Sequence, residues 1–156
     1  MPRFPAEYEP HAATWIAWPH HEPDWPGKLE PIPWVYAEIV RALHRRERVE
    51  ILCHTYAIAE SAKRVLDSHG VRENFRMHVV ANDRVWLRDS GPTGIIEDNG
   101  SVALVNWRFN AWAKYDNYAR DQRVGEAVAR ITDFPRITPL RSDTGEPVVL
   151  EGGGIE

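Results

Sequence analysis

The apolar positions of this 156-residue chain change period repeatedly, and each change marks an element. Thr14-Trp15-Ile16-Ala17-Trp18 is a short apolar run stopped by Pro19, which reads as a first strand. Five prolines between positions 19 and 33 (Pro19, Pro23, Pro26, Pro31, Pro33), together with Gly27, predict an irregular loop with little backbone freedom. From Trp34 to about Arg46, Val35, Ile39, Val40 and Leu43 recur at helical spacing. Val49-Glu50-Ile51-Leu52-Cys53 predicts a strand. A second helix is expected from about Ala57 to His69, with Ile58, Ala62, Val65 and Leu66 on one face and Gly70 as its stop.

Met77-His78-Val79-Val80 predicts another strand, and Val85-Trp86-Leu87 a short extended piece leading into Asp89. Thr93 to Glu97, the turn Asp98-Asn99-Gly100, and Ser101 to Val105 form the clearest hairpin in the chain. An aromatic loop from Asn106 to Lys114 precedes a third expected helix from Asp116 to about Thr132, with Val124, Val128 and Ile131 inward. Ile137 to Leu140 and Val148-Val149-Leu150 are the last strand candidates. This alternation of helices and strands predicts an α/β fold. The chain stops soon after the glycine turn that follows Leu150, so its C-terminus is expected to be a cut within a domain.

Composition narrows the classes. Hydrophobic residues at 43% and charged ones at 27% are those of a globular domain with a real core. A net charge of −4, without a basic cluster interleaved with aromatics, argues against a nucleic-acid binder. No apolar run has the length of a bilayer span, and the N-terminus lacks the apolar core of a signal peptide. The single cysteine, Cys53, excludes an internal disulfide framework and fits a reducing compartment, so a cytoplasmic location is expected.

Two acidic turns carry the candidate chemistry. Trp86-Leu87-Arg88-Asp89-Ser90-Gly91-Pro92 and Leu150-Glu151-Gly152-Gly153-Gly154 each place one carboxylate beside residues that hold a tight turn. If the first is extended, Asp89 and Arg88 point to opposite faces, and Arg88 is free to make a structural ion pair. Asp89 then either faces a pocket or bonds the turn's own backbone. Glu151 either ends a strand at a site or lies exposed beside a loop. The glycine turn is not a phosphate loop, because GxxxxGK[ST] is missing and an adjacent acid repels phosphate. Cys53 is the only thiol, but its neighbour His54 would lie on the other face of the strand, and a buried cysteine is the commoner case. His20, His21, Glu22 and Asp24 match no metal-site spacing and are expected to form a surface cluster.

Read together, Pro5-Ala6-Glu7-Tyr8-Glu9-Pro10-His11, Thr14 to Pro19, Trp86 to Pro92, Trp107-Arg108-Phe109-Asn110-Ala111-Trp112 and Leu150-Glu151-Gly152-Gly153 resemble the agmatine deiminase family, also described as bacterial-type peptidyl-arginine deiminases. The stretches occur in the family's order and span nearly the whole chain. The resemblance implies a pentein αβ-propeller, of which residues 1–156 would be the N-terminal portion of one catalytic domain, roughly two of five modules and the start of a third. It implies hydrolysis of a guanidinium group, for agmatine to N-carbamoylputrescine and ammonia, through an amidino-cysteine intermediate and without metal or organic cofactor. Asp89 would clamp the guanidinium, Glu151 would orient and charge a histidine, and Trp86 would contribute to the pocket wall.

The nucleophilic cysteine and the His-x-Asp element of that family have no counterpart in these residues, so the chain alone is expected to be inactive. One further departure is local: the family's loop often reads Asn-Ala-Trp-Gly-Gly-Lys, whereas this chain has Asn110-Ala111-Trp112-Ala113-Lys114. The partner implied is a small guanidinium compound, with no nucleic acid or membrane; a homo-oligomer is left open. The alternatives are a deiminase of arginine in peptides, or a non-catalytic module that binds a cation or sugar with its tryptophans and acids.

Overall fold

The computed structural model describes residues 1–155 and divides them into two compact units. One is Pro10–Val85; the other joins Met1–Glu9 to the chain from Trp86 onward.

In the unit Pro10–Val85, strands β1 (Ala13–Ala17), β2 (Arg48–Cys53) and β3 (Phe75–Val79) form a parallel sheet in the order β1-β2-β3. The register sets Ile16 beside Ile51 and Ile51 beside Met77. Helices α1 (Ile32–Leu43) and α2 (Tyr56–Ser68) make the two crossovers. Alternation along β2 sends Val49, Ile51 and Cys53 into one core with Ala37 and Val40 of α1 and Ala62 and Leu66 of α2, all of them fully buried. Thr55 starts α2 by accepting the Ile58 N–H at its hydroxyl, 3.2 Å away. Gly70, at φ +75°, ends it: the Val71 N–H reaches the Leu66 carbonyl at 3.0 Å and the Gly70 N–H reaches Asp67 at 3.1 Å.

The alternate residues of β2, Arg48, Glu50 and Leu52, lie on its other face. Glu50 accepts from Arg48 Nε at 2.5 Å and lies 2.6 Å from His78 Nε2, while Trp15 stacks on the His78 ring at 5.5 Å. The buried carboxylate is thus paired on both sides.

Two expectations need correction here. Val35 and Ile39 are 54% and 41% exposed, so α1 buries the stripe Tyr36, Ala37, Val40 and Leu43 instead. Both stripes have helical spacing, and only the sheet selects between them. Asp24 is also no surface acid. It pairs with Arg84 where both side chains are 7% exposed, and His21 Nδ1 lies 3.2 Å from it.

In the other unit, β4 (Thr93–Ile96) and β5 (Val102–Val105) form the expected hairpin, turned by Gly100 at φ +82°. Asn99 Oδ1 accepts from the Ser101 N–H at 2.9 Å and tightens that turn. Arg3 pairs with Ile96 at the outer edge, and β6 (Arg136–Ile137) adds parallel to β5. The third helix is shorter than its periodicity suggested. A 3-10 turn at Asp121–Arg123 leads into the helix Val124–Thr132, which buries Val124, Ala127 and Val128 and leaves Ile131 38% exposed. Val148 to Leu150 make no strand; only Val149 bridges to Arg108.

Candidate functional site

Asp89 does not arrive on a strand. Leu87–Ser90 is a single helical turn, α3, entered at Trp86, and the helix Val124–Thr132 is accordingly α4. The Trp86 carbonyl accepts three bonds: the Asp89 N–H at 3.2 Å, the Ser90 N–H at 3.0 Å and the Ser90 hydroxyl at 3.0 Å. Gly91 N–H then closes on the Leu87 carbonyl at 2.8 Å, and a Cβ at Gly91 would sit 2.5 Å from that same oxygen. Pro92 prevents the helix from continuing. Consecutive residues on such a turn diverge by roughly 100° rather than 180°. Arg88 pairs with Glu7 on the surface.

The second acid comes to the first through a glycine. Glu151 is extended (φ −131°, ψ 157°), and Gly152–Gly154 make a 3-10 turn closed by Gly154 N–H to the Glu151 carbonyl at 2.9 Å. A Cβ at Gly152 would lie 2.3 Å from the Arg88 carbonyl oxygen and 2.8 Å from Arg88 Cδ. The two turns therefore touch, and a side chain at position 152 has no room. Asp89 and Glu151 are both half-buried. Burial raises the Asp89 carboxyl above the ordinary value for aspartate. The Glu151 charge raises it further, and only Arg88 opposes the shift. Two neighbouring negative charges, partly withdrawn from water, favour a cation between them.

Trp86 opens an aromatic cluster beside this turn. Its ring meets Trp112 edge-on at 4.9 Å and Tyr115 at 5.7 Å; Trp112 in turn meets Phe109 at 5.5 Å. The loop carrying Trp112 is strained. Ala111, Trp112 and Ala113 have φ of +50°, +59° and +54°, three successive non-glycine residues in the left-handed region. Each costs about 1–2 kcal/mol there. The turn is held by Ala113 N–H to Asn110 and Lys114 N–H to Ala111, both at 3.0 Å, and Ala111 is fully buried. Sequence reasoning placed Trp112 in a motif but gave it no role. The exchange of glycine for alanine at 113 was the available signal.

The remaining candidates lie in the unit Pro10–Val85. Cys53 is fully buried, and burial pushes its thiol up to about 12, which suits a core residue and not a nucleophile. His20 and His54 stack at 4.5 Å, and each places a ring nitrogen on the Asn82 carbonyl, at 3.1 and 2.7 Å. Burial lowers the His20 pKa. No group of three or more His, Cys, Asp or Glu suited to a metal occurs among the described residues, and none of their helices is long and apolar enough to cross a membrane.

The profile of the Porphyromonas-type peptidyl-arginine deiminases matches residues 3–156. The agmatine deiminase of Pseudomonas aeruginosa (strain LESB58) is 36% identical over 155 residues, covering 98% of this chain and 40% of that protein. That of Stutzerimonas stutzeri (strain A1501) is 35% identical, with 97% and 39% covered. The solved agmatine deiminase of Enterococcus faecalis superposes with a TM-score of 0.81 at 24% identity, over 97% of this chain and 40% of that one. The chain spans about 40% of the length of the curated relatives it matches. With the profile covering nearly every residue, the chain belongs to the Porphyromonas-type peptidyl-arginine deiminase family.

Proposed function

We propose that these residues supply the guanidinium-binding half of a deiminase site, and that the intact protein hydrolyses agmatine to N-carbamoylputrescine and ammonia. The observation that carries this reading is the packing of the Glu151 turn onto the Asp89 turn through Gly152, which pairs two acids beside an aromatic wall.

The chemistry follows from the substrate. A guanidinium stays protonated and offers coplanar N–H donors, which a fixed carboxylate accepts in pairs. Asp89 takes that role, and Trp86 shields the pair from water. Glu151 orients and charges a histidine, which carries protons. A cysteine thiolate bonds to the guanidinium carbon, and one nitrogen leaves as ammonia with a proton from the histidine. Water then adds to the amidino-thioether carbon, the C–S bond breaks, and the thiol is regenerated with a ureido product. The cysteine belongs to sequence other than these 156 residues, because Cys53 is a core thiol, and the histidine is assigned to the His-x-Asp element that the family resemblance implies. The agmatine deiminases at 36% and 35% identity support agmatine as substrate. The family description supports a second reading, arginine in a peptide.

The test is ammonia release by the intact gene product carrying this chain, with agmatine, arginine and a blocked arginine peptide. Turnover of agmatine, abolished by Asp89→Asn without loss of folding, is expected. Normal turnover in that variant removes Asp89 from the site, and preference for the peptide moves the assignment to the second reading.

A further inference from the structure

We propose that Trp112 is a specificity-determining residue of this site, forming with Trp86 the outer wall that receives the methylene chain of a guanidinium substrate. The proposal rests on the guanidinium reading above and adds a residue to it.

The strained turn is the first observation. Ala111, Trp112 and Ala113 all occupy the left-handed region, and a tryptophan is among the least suited residues there. Such a conformation persists only where its surroundings fix it, and strained backbone concentrates where a side chain must be aimed. Here the fixing is visible. Ala111 is fully buried, two hydrogen bonds of 3.0 Å close the turn, and Phe109 backs the indole at 5.5 Å.

The aim of the indole is the second observation. Trp112 meets Trp86 at 4.9 Å with planes 65° apart, and Tyr115 adds a third ring at 5.7 Å from Trp86 and 6.2 Å from Trp112. Trp86 accepts the hydrogen bond of the Asp89 N–H, so this wall begins on the turn that carries the acid. Trp86 is half-buried and Trp112 is 38% exposed, so Trp112 is the more solvent-facing ring of the pair. An apolar ring in that place gains contact with methylenes and nothing from a substrate that lacks them.

The intact gene product is assayed for ammonia release from agmatine and from methylguanidine, which has the head group without the chain. Trp112→Ala is expected to raise the KM for agmatine about tenfold, to leave its kcat little changed, and to leave methylguanidine kinetics within about twofold. Trp112→Phe recovers most of the loss. Ala113→Gly relieves the turn, raising Tm by about 2–4 °C while also raising the agmatine KM. An unchanged agmatine KM in Trp112→Ala, an equal loss on both substrates, or a lowered Tm in Ala113→Gly each overturns the assignment. Asp89→Asn separates the two levels. If it abolishes turnover while Trp112→Ala leaves the agmatine-to-methylguanidine ratio unmoved, only the role of Trp112 fails. If the unaltered protein acts on no guanidinium compound, the underlying reading fails and takes this one with it.

Discussion

Gly152 lies so close to Arg88 that an added Cβ would come within 2.3 Å of the Arg88 carbonyl oxygen. The contact is to backbone, so no side-chain rotation can relieve it. Gly152→Ala is therefore expected to push the glycine turn off α3, costing about 1–3 kcal/mol. A thermal melt reads the loss of stability. Ammonia release in the intact protein reads the accompanying separation of Glu151 from Asp89. An Ala variant with unchanged melt and unchanged activity would show that the two turns do not depend on one another.

Asp24 and Arg84 form an ion pair in which each side chain is only 7% exposed. Removing one partner leaves a charge in a site that is 93% covered, because each side chain is only 7% exposed. Asp24→Asn or Arg84→Met should each destabilise the unit Pro10–Val85 by about 3–5 kcal/mol. The double variant should lose less than the sum of the two. Urea unfolding of the four proteins measures this. Additive losses would mean that the two groups act independently.

The unit Pro10–Val85 was the more legible of the two because its signals are local. The Thr55 cap, the Gly70 stop and the alternation of β2 each need only a few neighbouring residues to act. Where two local solutions compete, the sequence is mute: Val35 and Ile39 fit a helical stripe as well as Ala37 and Val40 do, and burial against β2 decides. The long apolar period after Asp116 likewise fitted a helix that only α4 completes. At the candidate site, the turns that carry Asp89 and Glu151 were readable as turns. Their adjacency was not, since it depends on Gly152 meeting a backbone atom more than sixty positions away. The role of Asp24 was hidden for the same reason, its partner Arg84 being sixty residues distant.

Cys53 should behave as a core residue. Its thiol, pushed up to about 12, is protonated at neutral pH and shielded from reagents. Reaction with a thiol reagent is expected only as fast as the unit opens, and to become rapid in urea. Cys53→Ala should retain activity in the intact protein and lose about 1 kcal/mol of stability through the vacated volume. Fast labelling of the folded protein would instead identify an accessible, activated thiolate.

Asp89 gives the site a definite pH response. Its carboxyl is raised by burial first and by Glu151 second, so its ionised form is disfavoured in the folded state. The favourable contribution of the protonated form is complete below the unfolded aspartate value. It is lost as pH rises through the raised folded value, leaving an unpaired charge at neutral pH. Asp89→Asn removes that charge. It should flatten stability against pH across this window and melt slightly higher than the unaltered protein at pH 7. A guanidinium ligand reverses the balance, because it binds the ionised carboxylate and draws its pKa back down. Binding in the acidic range should release protons, and affinity should fall as pH drops through the Asp89 titration. Calorimetric titration in buffers of different ionisation enthalpy measures the protons directly. Affinity independent of pH down to the ordinary aspartate range would show that Asp89 is not the carboxylate that grips the ligand.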